Sequence, residues 1–201
     1  MTTPYKIGIT GNIGSGKSIV SAILRTIGIP VYDCDTEAKR LMLKDNFVRS
    51  KIVETFGKEC YTPNKELNRQ HLANIIFNDT TALKKINSIV HPRVKEDFAS
   101  WSRKQKSRIV AMETAILFEA GMQKNVDTIV AIHADREICI QRACRRNNVP
   151  RNEIEQRIDK QIATEKIIAQ SDHAICNNPD TPLLPQITSL LTEIDNRQNK
   201  H

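Results

Sequence analysis

Residues 8–18 read Gly-Ile-Thr-Gly-Asn-Ile-Gly-Ser-Gly-Lys-Ser, and the part from Gly11 to Ser18 fits G-x-x-x-x-G-K-[ST] at every fixed position. Glycines let such a loop turn tightly, so that successive backbone N–H groups face a phosphate, which the N-terminus of the following helix also attracts. A β-branched apolar run at 5–9 precedes the loop and helical spacing follows at 19–27. This strand, loop and helix predict a nucleoside triphosphate site.

The side chains of the motif predict how the triphosphate is held. Lys17 is expected to reach the β- and γ-phosphates, which makes it a candidate catalytic residue, and the Ser18 hydroxyl is expected to ligate Mg²⁺. Backbone N–H groups of the whole loop complete the predicted site. The predicted nucleotide-binding residues are Gly11, Asn12, Ile13, Gly14, Ser15, Gly16, Lys17 and Ser18.

The composition is typical of one compact domain in a reducing compartment. The chain has 201 residues, no apolar run long enough to span a membrane, and no apolar signal-peptide segment at its start. Its five cysteines are odd in number and include no C-x-x-C pair, which argues against a disulfide framework or a zinc site. We therefore expect a cytoplasmic protein with no membrane partner.

The net charge of +7 has two interpretations, a nucleic-acid partner or a highly phosphorylated small-molecule substrate. Aromatic residues make up only 4% of the chain and do not interleave with a basic stripe, as platforms for base stacking would. The charge therefore favours substrate attraction, and no nucleic-acid partner is expected. Nothing in the sequence predicts the oligomeric state.

Five short apolar runs alternate with helical periodicity along the chain. The alternation predicts an α/β fold with a five-stranded parallel sheet and helices on both faces. Ligand sites in such sheets lie beyond the carboxyl ends of the strands. The predicted strands are at residues 7–9, 30–32, 109–112, 128–132 and 173–176.

The long interval between the second and third strands is polar and helical, with helix starts predicted at Asn68, Asp79 and Pro92. Because it far exceeds a usual connection, we expect a lobe of its own that receives the phosphate acceptor. The chain is thus predicted to be a single domain over residues 1–201. Its parts would be a core (about 1–35, 108–140 and 171–201), an acceptor lobe (about 36–107) and a lid (about 141–170).

Acidic residues follow two of the predicted strands. Asp33 and Asp35 come directly after the second strand, where Asp35 is placed to accept the proton of an attacking hydroxyl while Asp33 stays near metal or backbone. Alternatively, Asp35 is the N-cap of a helix over residues 36–43. Glu113 ends the third strand and either orients Mg²⁺ through water or caps the following turn.

Arginines cluster on both sides of a polar hinge in the predicted lid. Guanidinium groups there would neutralise the triphosphate as the lid closes, although charged helices are often simply solvated. In the hinge at residues 147–152 nothing is apolar enough to bury except Val149, so its order is expected to depend on charge brought by ligand. The basic residues concerned are Arg142, Arg145, Arg146, Arg151 and Arg157, with Gln161 one turn further on.

Seven segments, spread over about residues 6–195, together resemble the dephospho-coenzyme A kinase family. They are Thr10-Gly-Asn-Ile-Gly-Ser-Gly-Lys-Ser18, Asp33-Cys-Asp35, Val90-His91-Pro92-Arg93-Val94, Leu117-Phe118-Glu119, Gln141-Arg142-x-x-x-Arg146, Arg157-x-x-x-Gln161 and Asp172-His-Ala-Ile-Cys-Asn177-Asn178. The resemblance implies a P-loop kinase fold with a helical substrate lobe and a lid. It also implies transfer of the γ-phosphoryl group of ATP, with Mg²⁺, to the ribose 3′-hydroxyl of dephospho-CoA.

The same resemblance assigns roles to residues. Asp35 would be the general base, Arg142 and Arg146 lid arginines on ATP with Arg142 catalytic, and Asn177 a neighbour of the adenine. The expected substrate-binding residues are Asp33, His91, Arg93, Leu117, Phe118, Glu119, Arg157 and Gln161.

The chain departs from the family pattern at a few positions. The family more often has glycine at Asn12 and threonine at Ile19, and it has Pro-Leu in place of Ala115 and Ile116. The last change places the contact of this segment with the pantetheine arm in doubt.

Two other functions stay open from the sequence. A nucleoside monophosphate kinase shares the loop, the lobe and the lid but needs no carboxylate base, so Asp35 speaks against it. A non-catalytic, nucleotide-dependent RNA-binding module would use the net positive charge. The chain lacks both its aromatic platforms and a guanine-reading N-K-x-D, because Leu67 stands where the aspartate belongs.

Overall fold

The structure is a computed structural model that describes residues 3–198 of the chain. Its strands lie at all five predicted positions. They are β1 (Tyr5–Thr10), β2 (Val31–Asp33), β3 (Ile109–Glu113), β4 (Thr128–His133) and β5 (His173–Cys176). The helices are α1 (Lys17–Thr26), α2 (Cys34–Lys44), α3 (Asn46–Phe56), α4 (Arg69–Asn78), α5 (Thr80–Arg103), α6 (Arg136–Asn147), α7 (Arg151–Asp159), α8 (Thr164–Ala169) and α9 (Leu183–Gln198).

The chain divides into two compact units. The first contains Met1–Val31 and Lys106–His201, and the second contains Tyr32–Gln105. In the part of the chain that the structure describes, no helix is both long and apolar enough to cross a membrane.

The sheet of the first unit is parallel, and the strand order of the whole sheet is β2-β3-β1-β4-β5. The central strand β1 pairs with both of its neighbours, with Ile7 opposite Ala111 in β3 and opposite Thr128 in β4. This arrangement confirms the predicted five-stranded parallel α/β sheet with helices on both faces. It also brings the carboxyl ends of β1, β3, β4 and β5 to one edge, where the loop motif begins.

Alternation along β1 explains how the sheet is covered. Ile7 and Ile9 are at most 1% exposed and belong to a cluster that includes apolar residues of α1 and α9. Gly8 points the other way, because a Cβ built there would lie 2.8 Å from Cδ1 of Leu117. The segment after β3 therefore packs directly on the backbone of the central strand.

The second unit is helical, and α5 is its central element, because α2, α3 and α4 each pack against it. Tyr32, Phe98 and Trp101 form an aromatic group, with the Tyr32 and Phe98 ring centres 5.4 Å apart. The Tyr32 hydroxyl donates to Asp97 at 2.7 Å, and Arg40 donates to the same carboxylate at 2.5 Å. Aromatic packing and a shared acceptor thus join the start of this unit to α5.

Two of the three predicted helix starts are confirmed, and one is wrong. Asn68 and Asp79 are the N-caps of α4 and α5, and their side chains accept backbone N–H groups at 3.2 and 2.7 Å. Pro92 lies inside α5 instead of at a helix start. Val90 and Val94, on either side of Pro92, are both buried, so tertiary packing continues the helix where local propensity would end it.

We predict that Pro92→Ala stabilises the second unit. Proline inside a helix removes one hydrogen bond and crowds the preceding turn, at a cost of up to about 3 kcal/mol relative to alanine. Pro92 is exposed, so alanine creates no cavity. Urea unfolding followed by circular dichroism should show a higher midpoint. Pro92→Gly restores the same N–H group but should gain about 1 kcal/mol less. A midpoint unchanged or lowered by Pro92→Ala would contradict the prediction.

Candidate active site

The loop at residues 11–18 is built from three glycines that no other residue could replace. Gly11, Gly14 and Gly16 have φ values of 145°, 78° and 96°. A Cβ on Gly11 would lie 2.1 Å from the carbonyl oxygen of Ile132, and one on Gly14 would lie 2.1 Å from that of Cys139. The loop is therefore pressed against β4 and against the first turns of α6, with its backbone close to both.

The remaining loop residues supply a cation and hydroxyl groups. Lys17 donates from Nζ to the carbonyl oxygens of Gly11 at 2.8 Å and Asn12 at 3.2 Å, so its ammonium group lies over the loop. Ser18 is exposed in the first turn of α1, whose backbone N–H groups begin at the loop. Ser15 is buried. A phosphate here would meet an ammonium group, a helix N-terminus and free hydroxyls.

Asn177 holds the loop from the end of β5. Its Nδ2 donates to the carbonyl oxygen of Ser15 at 2.8 Å, and the residue is 6% exposed. A Cβ on Gly16 would lie 1.9 Å from the same Nδ2 atom. The asparagine predicted to lie near the adenine thus has a defined contact with the phosphate loop, and its contact with adenine stays a prediction.

Several polar atoms around the loop are buried and have no hydrogen-bond partner in the described part of the chain. They are Thr10 Oγ1, Asn12 Oδ1, Ser15 Oγ and Arg142 Nη1. Buried polar groups are almost always paired, and an unpaired one costs free energy. The guanidinium and the two hydroxyl groups can donate to an anionic ligand, whereas Asn12 Oδ1 can only accept.

Arg142 lies on the helix that packs against the loop. Burial raises the pKa of the Cys139 thiol, and the positive charges of Arg142 and Lys17 oppose that shift, so both cations lie near this cysteine. Arg145 and Arg146, further along α6, are exposed. Arg142 thus lies one turn after Cys139, the residue against which Gly14 packs, whereas Arg146 lies further along the helix and is exposed.

The predicted lid is a pair of packed helices. Ile154 of α7 is 0% exposed and forms a cluster with Ile140 and Ala143 of α6, on which Ile13 of the loop also packs. Val149 of the hinge packs on this cluster as well, and the dependence of order in residues 147–152 on ligand stays a prediction.

An ion pair adds to this packing. Arg151 donates through Nη1 and Nη2 to both carboxylate oxygens of Glu137, each at 2.7 Å. Hydrogen bonds from Arg151 and Gln141, together with the charge of Arg151, lower the pKa of Glu137 to about 2. Glu137 is therefore charged throughout the neutral range. Arg151 is accordingly committed to Glu137, a side chain in the first turn of α6 that precedes the predicted lid.

Two predicted substrate residues, Arg157 in α7 and Gln161 shortly after it, have different surroundings. Arg157 is exposed and lies 3.6 Å from the Glu153 carboxylate, a weak surface pair that leaves it accessible. Gln161 accepts the backbone N–H of Ile13 at 2.9 Å through Oε1. Its observed contact is therefore with the phosphate loop.

The predicted substrate residues that follow β3 also differ in how far they are buried. Leu117 is 0% exposed and packs under β1, so its observed role is in the core and not on a ligand surface. Phe118 is half-buried and Glu119 exposed. Glu113, at the end of β3, is partly exposed, and it stays a candidate for orienting Mg²⁺ through water.

The two aspartates at the start of the second unit have separate functions in the structure. Helix α2 begins at Cys34, and Asp33 is its N-cap, accepting the backbone N–H groups of Asp35 at 3.0 Å and Thr36 at 3.1 Å. The alternative in which Asp35 caps the helix is therefore wrong. The exposed Asp35 carboxylate forms no hydrogen bond or ion pair with the residues that the structure describes.

His91 and Arg93 lie on neighbouring positions of α5. Burial lowers the pKa of His91, and the positive charge of Lys95 adds to this effect, so the imidazole is neutral at pH 7. Arg93 donates to the Asp45 carboxylate at 2.6 Å and also pairs with Glu96. Its Nε is buried and has no hydrogen-bond partner among the described residues. Arg93 is thus oriented by two acidic neighbours, and its contact with a substrate stays a prediction.

Some contacts of the site could not be predicted from the sequence. Ile162 and Thr164, which receive hydrogen bonds from Asn12, belong to no motif and follow the loop by about 150 positions. A cavity of about 650 Å³ lies beside them, lined also by the end of β4 and the start of α6. Asn12 is its only lining residue from the loop, so this cavity is adjacent to the predicted triphosphate position.

Known proteins share both the sequence and the fold. A dephospho-CoA kinase from Bacteroides fragilis (strain YCH46) is 42% identical over 187 residues, which cover 92% of this chain and 91% of that protein. The crystal structure of TT1252 from Thermus thermophilus, 30% identical, has a TM-score of 0.82 and covers 96% of this chain and 98% of its own. A dephospho-CoA kinase from Campylobacter jejuni, 22% identical, shares the fold at a TM-score of 0.70, covering 96% of this chain and 98% of its own.

A parallel sheet with a glycine loop after its first strand, a lysine over that loop and an arginine helix beside it define a P-loop phosphotransferase. The family model described as dephospho-CoA kinase matches residues 5–182. With this match and the 42% identity, the chain belongs to the dephospho-CoA kinase family.

We predict that Asn177→Asp weakens phosphate binding. The aspartate has no N–H to donate to Ser15, and it places a carboxylate beside a carbonyl oxygen, which should lower affinity about tenfold. Calorimetry with inorganic tripolyphosphate isolates this effect, because that ligand has no adenine. Asn178→Asp is the matched control, since Asn178 uses only its Oδ1, as an acceptor from Asp135. Equal tripolyphosphate affinities for the two variants would remove Asn177 from the phosphate site.

Proposed function

We infer that this protein is a dephospho-CoA kinase that transfers the γ-phosphoryl group of ATP to the ribose 3′-hydroxyl of dephospho-CoA, completing coenzyme A. The observation that carries the inference is the phosphate loop with its adjoining cations, in a chain of this family. The unpaired Nη1 of Arg142 and the ammonium group of Lys17 are suited to the charge of a triphosphate. Such groups accelerate phosphoryl transfer by positioning and by stabilising charge.

The residues present also fit a magnesium ion. No cluster of three or more acidic, histidine or cysteine side chains among the described residues could hold a metal by itself. Magnesium in kinases needs no such cluster, because it keeps several waters and binds mainly to the phosphates. Ser18 would hold the ion through its hydroxyl, with Glu113 as a candidate partner through water. When bound, the ion neutralises charge on the phosphate oxygens.

The acceptor hydroxyl needs a group that takes its proton, and we assign that role to Asp35. Asp33 accepts two backbone N–H groups, so protonating it would weaken the start of α2. Asp35 has no such commitment and is exposed in the first turn. Its carboxylate would accept the proton of the 3′-hydroxyl as the oxygen attacks the γ-phosphorus, and ADP would leave.

The remaining predicted substrate residues are assigned from the contacts that each makes in the structure. His91, Arg93, Phe118, Glu119 and Arg157 remain proposed contacts of dephospho-CoA, whereas Leu117 and Gln161 act through the core and the loop. The five cysteines are odd in number and include no C-x-x-C pair, so we also propose that the protein works in a reducing, cytoplasmic compartment.

A coupled assay of ADP release tests the reaction. With ATP and Mg²⁺, dephospho-CoA should be turned over, and AMP, CMP and UMP should not. The product should carry its new phosphate on the 3′-oxygen, which phosphorus NMR identifies. Turnover of a nucleoside monophosphate in preference to dephospho-CoA would contradict the proposal and favour a nucleoside monophosphate kinase.

Substitutions at the two aspartates should separate catalysis from capping. Asp35→Asn keeps the size of the side chain but accepts no proton, so we expect kcat to fall by about 10²–10⁴ while the KM for ATP changes little. Asp33→Ala removes an N-cap and should lower the free energy of unfolding by about 0.5–2 kcal/mol. Asp35→Asn should leave unfolding unchanged. A nearly normal kcat for Asp35→Asn would place the base elsewhere.

A further inference from the structure

Three hydrogen bonds join the start of the phosphate loop to the chain between α7 and α8. Asn12 donates from Nδ2 to the carbonyl oxygen of Ile162 at 3.0 Å and to the Thr164 hydroxyl at 3.1 Å. Gln161 accepts the N–H of Ile13 at 2.9 Å. Asn12 is 8% exposed, and all three bonds are partly buried. We call residues 161–164, which lie between the end of α7 and the first residue of α8, the lid anchor.

We propose that Asn12 is a positioning residue that fixes the lid anchor to the phosphate loop, so that loop and lid are held in one arrangement for ATP. The proposal rests on the kinase function inferred above. In this proposal the side-chain amide of Asn12 holds the lid, and this role is separate from that of its backbone in the phosphate loop.

The chemistry of the contact requires a primary amide. A single NH₂ group carries two donors, and here the two meet two acceptors on neighbouring residues of the lid anchor. The carbonyl of Ile162 can only accept, which fixes the orientation of the amide. Glycine has no donor at this position, aspartate has only acceptors, and serine has one donor.

The lid anchor is connected to the phosphate-binding arginine through packing. It follows α7 directly, and Ile154 of α7 packs on Ile140 and Ala143 of α6, the helix that carries Arg142. Ile13, whose N–H is bonded to the lid anchor, packs on that same cluster. Residues 12 and 13 are therefore held by the lid from two sides, through hydrogen bonds and through apolar contact.

A loosened lid anchor should weaken ATP binding more than the chemical step. The loop contacts the triphosphate before and during transfer, so its misplacement removes binding that is common to both states and raises KM with kcat largely retained. The KM for dephospho-CoA should change less than that for ATP, because the three hydrogen bonds of the lid anchor all go to the phosphate loop.

The test compares Asn12→Ala and Thr164→Val with Thr164→Ser, which keeps the hydroxyl acceptor. Asn12→Ala should raise the KM for ATP and the dissociation constant for ADP about 3- to 10-fold, and Thr164→Val should raise both less. Thr164→Ser should match the parent protein. The double variant Asn12→Ala/Thr164→Val should equal Asn12→Ala alone, since the Thr164 bond is already lost. Hydrogen exchange should rise in residues 160–169 and stay unchanged in α5.

Three results would overturn the proposal: ADP affinity unchanged in Asn12→Ala, effects that multiply in the double variant, or Thr164→Ser behaving like Thr164→Val. The Thr164 pair keeps the test decisive if Asn12→Ala does not fold. ADP calorimetry separates this proposal from the function itself. If dephospho-CoA were not a substrate, the proposed function would fail, whereas the predicted ADP affinities of the variants would still stand.

Discussion

The close approach of other backbone segments to the glycine loop is the constraint on which the first unit depends. At Gly11 and Gly14 the neighbouring atom is a main-chain carbonyl oxygen, from β4 and α6 respectively, and main chain cannot move aside as a flexible side chain can. At Gly16 the neighbour is the Asn177 amide, which also bonds the loop. Three parts of the chain at the carboxyl edge of the sheet therefore shape the loop. Each of its three glycines stands where one of those parts comes too close for a side chain.

The parts of the fold that local chemistry determines could be predicted from the sequence. The strands are short β-branched runs buried in a parallel sheet, and Asn68 and Asp79 cap helices through bonds to residues two or three positions away. Pro92 shows the limit of such rules. Its effect on the helix is local, but α5 continues because Val90 and Val94 pack against partners that are distant in sequence.

In the candidate site, too, local sequence patterns could be predicted and contacts between distant residues could not. The loop was predictable because its function requires a fixed spacing of residue types. The contacts of Gln161 and Thr164 were not, since they join residues about 150 positions apart and depend on how α6 and α7 pack. Leu117 and Phe118 are equally apolar neighbours, and only the close packing of Leu117 under Gly8 shows which of the two is in the core.

The aspartate pair shows why a structure is needed to assign chemistry within a motif. Asp33 and Asp35 are the same residue type, two positions apart, and either could cap a helix or accept a proton. A carboxylate that holds two backbone N–H groups loses those bonds when it takes a proton, so capping and proton transfer compete for the same oxygens. Because α2 begins at Cys34, the capping role falls to Asp33. The adjacent Asp35 carboxylate holds no backbone N–H group of the helix that carries it, so proton transfer there does not compete with capping.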